Sequence, residues 1–296
     1  MMNIVCIFFL YIVSNISCTS YIGDLQRSLP VPPKCGLPTS IVKRSVGGGP
    51  TSVSHFPWTV FLIYDDLNIE NDPEQGFCGG SLINSRYVLT AAHCIDPEPV
   101  SVLLGTTDLR NYVRYVDVDK VLANPRYYQL SDTVFDGLYD IGLIQLAVNV
   151  EFSNSIYPIC LPFQIENYEP PNTNTTFLAS GWGTTKYINY KYILTVVKVK
   201  LVDFEECFKV FSTQDQTLHS KVFCAGGTIG TDTCFKDSGS PVVREINGTW
   251  ILEGIVSSGL DKSCGTLNPA LYTKVLKYEK WIREQILNDF YFSGKV

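Results

Sequence analysis

Apolar residues in this chain arrive in short runs, and that spacing constrains the fold more than any other feature. Trp58–Tyr64, Tyr87–Ala91, Tyr112–Val118, Ile193–Val202 and Trp250–Val256 are rich in Val, Ile, Tyr and Phe, with Gly, Pro, Asn and Asp between them. Short runs of β-branched and aromatic residues bounded by turn formers predict an all-β domain with many turns. One stretch keeps a helical period instead. Val275, Tyr278, Trp281, Ile282 and Ile286 recur every three or four residues, which predicts a C-terminal α-helix over Val275–Asn288 with one apolar packing stripe. Residues 21–44, with Pro30, Pro32, Pro33 and Pro38, read as an extended leader rather than a folded module.

The chain begins with a different kind of apolar segment. Residues 3–18 carry no charged side chain and end in small residues, the composition of a secretory signal peptide over residues 1–18. The segment is short for a bilayer-spanning helix, and no later run reaches that length. The expectation is a secreted, extracellular protein without a membrane partner.

Removal of residues 1–18 turns ten cysteines into eight: Cys35, Cys78, Cys94, Cys160, Cys207, Cys224, Cys234 and Cys264. An even count in an exported chain predicts four disulfides, and spacing alone cannot choose among the many pairings. No two of these cysteines have two-residue spacing and the chain has only three histidines, so no metal site and no cofactor are expected. Sequons at Asn174 and Asn247 fit a secreted glycoprotein. The net charge of −6 argues against nucleic acid as a partner.

Three short stretches carry chemistry. They are Leu89-Thr-Ala-Ala-His93-Cys94, Tyr139-Asp140-Ile-Gly-Leu-Ile-Gln-Leu146 and Asp232-Thr-Cys-Phe-Lys-Asp237-Ser238-Gly-Ser-Pro241. Each alone is weak, because a lone histidine is usually structural and Asp-Ser-Gly is ordinary turn chemistry. Together and in this order they resemble the motifs of the chymotrypsin–trypsin family of serine peptidases. Phe77-Cys78-Gly-Gly-Ser-Leu82 resembles the strand that precedes the histidine, and Ser180-Gly-Trp-Gly183 the start of a second barrel. Gly254-Ile-Val-Ser-Ser-Gly259 and Pro269-Ala-Leu-Tyr-Thr-Lys-Val275 resemble the walls of a specificity pocket and the approach to the last helix.

The resemblance implies two packed antiparallel six-stranded β-barrels with the site in the cleft between them. Its expected divisions are a leader over 19–44, tethered by Cys35, and a peptidase domain over 45–290. Within that domain the barrels would span about 45–165 and 166–290. It also implies the pairs Cys78–Cys94, Cys207–Cys224, Cys234–Cys264 and Cys35–Cys160.

The chemistry follows from the residue types. A serine hydroxyl is a poor nucleophile until a neutral imidazole takes its proton, so His93 would be the base and Ser238 the nucleophile. Asp140 would fix the tautomer of His93 and stabilise the imidazolium. The backbone N–H groups of Lys236 and Ser238 would form the oxyanion hole. By the resemblance, Asp232 would stand at the base of a pocket for Arg or Lys, with Gly259 and Ala270 on its walls and Ser258 where a tryptophan is usual. The methyl of Ala270, where glycine is usual, would shrink that pocket. The resemblance also implies that cleavage after Arg44 would free Ser45 to pair with Asp237. Ser45 stands where isoleucine or valine is usual and forgoes about 1.5–3 kcal/mol of aliphatic burial.

Partners implied by this reading are protein or peptide substrates, an activating protease and protein inhibitors. Lys236 and Ser240 occupy positions that are glycine in most members. A side chain held there at positive φ would cost about 1–2 kcal/mol. Those departures carry a second reading, a weakly active or inactive homologue that acts as a regulatory or binding protein. The segment Asp65–Gln75, with five acidic side chains, reads as a solvated surface loop. The loop after Gly105 lacks the glutamate that opens a calcium loop in some relatives, and no calcium site is expected there.

Overall fold

A computed structural model of the protein describes residues 29–37, 49–64, 78–111, 114–127, 138–183, 192–211, 220–226, 237–259 and 268–292. The short apolar runs become strands. In the first half these are β2 (Thr59–Ile63), β3 (Gly79–Leu82), β4 (Tyr87–Thr90), β5 (Ser101–Leu104), β6 (Arg114–Ala123) and β7 (Gly142–Leu146), after a two-residue β1 (Gly49–Pro50). Strands β2 to β7 close an antiparallel barrel in the order β2-β3-β4-β7-β6-β5. In the second half, β8 (Thr176–Gly181), β9 (Thr195–Val202), β10 (Val222–Gly226), β11 (Pro241–Ile246), β12 (Thr249–Ser258) and β13 (Pro269–Lys274) follow the order β9-β10-β13-β12-β11-β8. Pairing of β8 with β9 closes that second barrel.

Local chemistry explains the turns. Asn247 and Gly248 have φ of 51° and 81° and link β11 to β12 directly. A two-residue loop with both φ positive matches the right-handed twist of its strands, and Asn-Gly tolerates it best. Inside the second barrel Phe177, Val199, Phe223, Val256, Ala270 and Tyr272 pack as one buried cluster.

The barrels are joined by polar and apolar contacts. β1 pairs with β9 across the junction, Gly49 opposite Val196. Leu194 N donates to Thr107 O at 2.7 Å, and the buried hydroxyls of Thr59 and Ser180 lie 2.9 Å apart. The ring of Trp182 meets Phe61 edge-on at 5.7 Å.

Two expectations need correction. The Ser180–Gly183 motif closes β8 rather than opening the second barrel, since that strand already starts at Thr176. The C-terminal segment is a 3-10 turn over Val275–Tyr278, and the α-helix proper runs over Glu279–Phe292. Its apolar stripe is packing: Val275, Tyr278, Ile282 and Ile286 are buried. A second helix, Phe204–Phe211, was not expected. Eight residues are too few to display a helical period. Its signals were weaker ones, namely Asp203, whose carboxylate accepts from Glu205 N at 2.9 Å, and two glutamates in the first turn.

The leader is more than an extended strap. Leu29 and Cys35 are buried, Gly36 N donates to Pro158 O at 2.9 Å, and Trp250 N donates to Gly36 O at 2.8 Å. The Gln164 side chain reaches Pro30 O at 2.6 Å. Disulfides join Cys35–Cys160, Cys78–Cys94 and Cys207–Cys224. Cys234 and Cys264 lie outside the described residues. Cys35–Cys160 spans 125 residues, and closing so long a loop removes much freedom from the unfolded chain. The double variant Cys35→Ser/Cys160→Ser is therefore expected to lose about 2–4 kcal/mol of stability in a denaturant titration.

Candidate active site

Two elements of the first barrel and two of the second meet at one point. β4 runs into a 3-10 turn, Ala92–Ile95, and that turn carries His93. Asp140 stands two residues before β7. Its carboxylate is met from three sides. His93 Nδ1 lies 2.8 Å from Oδ2, His93 N donates to Oδ1 at 3.0 Å, and the Ser257 hydroxyl of β12 donates to Oδ2 at 2.6 Å. Thr273 of β13 donates to the Asp140 carbonyl at 2.8 Å. Asp140 is 1% exposed, so His93 and Ser257 replace water that its carboxylate has lost, as Thr273 does for its carbonyl.

This geometry sets the charges. Burial alone would push the Asp140 carboxyl up, but the charge and hydrogen bonds of His93, with the Ser257 hydroxyl, outweigh it and hold the group below the usual carboxylate range. Burial likewise works against a charged His93. The Asp140 charge and hydrogen bond overcome it and raise the imidazole above its ordinary value. Bonding at Nδ1 leaves Nε2 as the nitrogen free to exchange a proton elsewhere.

Ser238 sits on a turn that leans on the strands leading to His93. Gly79 N of β3 donates to Ser238 O at 2.8 Å, and Gly239 N donates to Val256 O of β12 at 2.8 Å. Gly239 has φ 77°, and a β-carbon there would collide with the Thr90 hydroxyl and Gly79 O. Only glycine fits at that point. The same turn is bonded to strands of both barrels, which is how the fold carries Ser238 to the cleft. The adjacent Asp237 turns its carboxylate towards Gly181 and Gly183, accepting from Gly183 N at 2.9 Å.

Ser240 departs from expectation in its physical cause. It is absent from the residues with positive φ, so its backbone is unstrained. Its hydroxyl is the problem: it is buried against Gly79 and has no hydrogen-bond partner among the described residues. An unsatisfied buried hydroxyl costs about 1–3 kcal/mol. Ser240→Ala removes it without adding volume and is expected to raise the unfolding midpoint in a thermal scan by an amount worth about 1 kcal/mol or more.

Gly259 follows β12, exposed, with nothing among the described residues close to where a β-carbon would stand. Ser258 is also exposed. Ala270 is buried on β13 opposite Ala225. Asn174 and Asn247 are both exposed. Arg44, Ser45, Asp232 and Lys236 lie outside the described residues, as does the acidic segment Asp65–Gln75. Cys78, His93 and Cys94 place three metal-ligand atoms close together, but the two sulfurs form a disulfide and offer no thiolate.

Ser257, Thr273 and Gly79 were missed as site residues. All three lie inside motifs read from the sequence, but those motifs were read as pocket wall, helix approach and strand. Their bonds to Asp140 and Ser238 cross between strands far apart in the chain, and a linear pattern cannot show that.

Comparison with known proteins places this arrangement. The family described as Trypsin matches residues 45–282. CLIP domain-containing serine protease B4 of Anopheles gambiae is 34% identical over 289 residues, covering 92% of this chain and 78% of the relative. Phenoloxidase-activating factor 1 of Holotrichia diomphalia is 36% identical over 279 residues, covering 86% and 73%. Melanization protease 1 of Drosophila melanogaster is 34% identical over 286 residues, covering 88% and 69%. With two closed barrels, the His93–Asp140 pair and this likeness along most of its length, the chain belongs to the trypsin family of serine proteases.

Proposed function

We propose that the protein is a secreted serine endopeptidase, made as a zymogen, that hydrolyses peptide bonds after Arg or Lys. The observation that carries this reading is the pairing of a half-buried His93 with the buried Asp140 carboxylate beside the turn that bears Ser238. His93 takes the Ser238 proton as the hydroxyl attacks the scissile carbonyl, and later protonates the leaving amine. Asp140, held by Ser257 and Thr273, keeps the imidazole in the useful tautomer and stabilises its charged form. The N–H groups of Lys236 and Ser238 receive the oxyanion. Water then hydrolyses the acyl-enzyme on Ser238.

Asp232 at the pocket base selects Arg or Lys, because a neutral side chain there would leave a buried carboxylate unpaired. Ala270 and Gly259 shape the walls.

Cleavage after Arg44 starts the activity. β1 anchors Gly49 to β9, whose Thr195 pairs with Gly181, and the Asp237 carboxylate lies against Gly181. The four residues ahead of Gly49, Ser45 to Gly48, reach at most about 14 Å when extended, and this strand-to-strand path leads from Gly49 towards Asp237. Cys35–Cys160 keeps the leader attached afterwards. We further propose residues 1–18 as a signal peptide, 19–44 as the leader, 45–290 as the peptidase domain and Asn174 and Asn247 as glycan sites. Two relatives carry activation or melanisation in their names, which supports proteins as substrates and another protease as activator.

Profiling the Arg44-cleaved protein on peptide esters tests this reading. Arg and Lys esters are expected to be cleaved at least about 10³-fold faster than Leu esters, with Asp232→Ser reversing most of that preference. A cleaved, folded protein that hydrolyses none of them would support the regulatory homologue instead.

A further inference from the structure

The residue before Asp140 has a backbone that most side chains avoid. Tyr139 lies at φ 61°, the left-handed region, where a bulky residue is uncommon. Its carbonyl accepts from Ile141 N at 2.7 Å, so the chain folds tightly around Asp140 itself. Ile141 O in turn accepts from Asn124 N at 3.0 Å. Such a conformation persists only when its surroundings hold it.

Three elements converge on the Tyr139 ring. Arg126, just beyond β6, places its guanidinium 5.4 Å from the ring centre and donates from Nη1 to the phenol oxygen at 3.0 Å. Asn124 Oδ1 accepts from Arg126 N at 3.1 Å, which ties that turn to the same loop. Lys221, just before β10, sets its ammonium 5.5 Å from the Tyr139 ring and 5.1 Å from the Tyr278 ring. Tyr278, which ends the 3-10 turn, meets Tyr139 edge-on at 6.2 Å and 84°. A cation over an aromatic face and an edge-to-face ring pair are both attractive arrangements.

We propose that Tyr139 is a positioning residue for Asp140: the aromatic and cationic clamp on its ring holds a left-handed turn that aims the Asp140 carboxylate at His93. A side chain that only filled space would need neither the left-handed backbone nor two cations from segments far apart in the chain. The groups facing the pair are the Ser257 and Thr273 hydroxyls, with Tyr278, Lys221 and Arg126 on the clamp side. Burial raises the Tyr278 phenol far above its ordinary range, so it stays neutral throughout.

The proposal rests on reading Asp140 as the partner of a catalytic base, so its test includes a readout that needs no turnover. With three histidines in the chain, the His93 imidazole signal can be assigned with His93→Ala and titrated by proton NMR in the Arg44-cleaved protein. Tyr139→Ala is expected to lower kcat about tenfold or more, with KM within about twofold, and to move the His93 titration down by about half a unit or more. Tyr139→Phe keeps the ring and should restore both. Should Tyr139→Ala not fold, Arg126→Met/Lys221→Met decides. Loss of two nearby positive charges alone would raise the His93 titration, whereas a loosened Asp140 lowers it, so a net fall supports the clamp.

An unmoved His93 titration in folded Tyr139→Ala overturns the proposal, even if kcat falls. So does a net rise in the double variant. Failure of the peptidase reading looks different: the natural protein would be inactive while His93 still titrated high and still responded to Tyr139.

Discussion

Ser238→Ala is expected to lower kcat of the Arg44-cleaved protein by about 10⁶-fold on an Arg ester. No other single substitution is expected to have so large an effect, because on the proposed mechanism the covalent step has no substitute nucleophile at that position. The substitution is conservative for the fold. Ser238 is held through its carbonyl, by Gly79 N, and that bond survives the loss of the hydroxyl. The unfolding midpoint should therefore stay within about 0.5 kcal/mol of the natural protein. A residual rate above that of water should persist, since substrate binding and the oxyanion donors remain. Steady-state kinetics together with a denaturant titration separate a lost nucleophile from a lost fold.

The second large effect is expected at Asp140. Asp140→Asn keeps the shape but removes the charge, and an amide can present its N–H to the His93 Nδ1 position. The imidazole would then adopt the tautomer with its proton on the wrong nitrogen, at a loss of about 10⁴ in kcat. The pH profile should move as well. On the proposed mechanism His93 must be neutral to accept the Ser238 proton, and the Asp140 charge raises its value above the ordinary one. The acid limb of kcat/KM is thus expected above the ordinary histidine value of about 6.5. In Asp140→Asn burial remains while the attraction is gone, so the limb should shift to lower pH. A limb that stayed in place would mean that Asp140 does not govern His93.

Much of this architecture was written locally. The runs around Thr59, Tyr87, Thr195 and Trp250 signalled strands because short apolar runs bounded by turn formers leave a pattern within a few residues, and the strands they form are buried along most of their length. His93, Asp140 and Ser238 stood out because each is embedded in a distinctive short motif, and chain order added further weight. The helix at Phe204–Phe211 escaped notice because two turns cannot establish a period. Ser240 illustrates a subtler limit. The sequence showed that glycine had been replaced, but only the packing against Gly79 shows that the consequence falls on a hydroxyl and not on the backbone. Docking of the leader depended on single contacts such as Gln164 to Pro30, made across more than a hundred residues of chain. Tyr139 was quoted within a motif, yet nothing linear announces that its φ is positive or that Arg126 and Lys221 close on its ring.

On the proposed function, Ser238 becomes an activated nucleophile once the chain is cut after Arg44. Labelling with a fluorophosphonate, followed by peptide mass spectrometry, tests it most directly because such a probe reacts with an activated serine and leaves a stable adduct. One adduct per chain on the peptide carrying Ser238 is predicted for the cleaved protein, with labelling slowed by about 10²-fold or more before cleavage. A cleaved, folded protein in which Ser238 reacts no faster than the exposed serines Ser153 and Ser258 would contradict it.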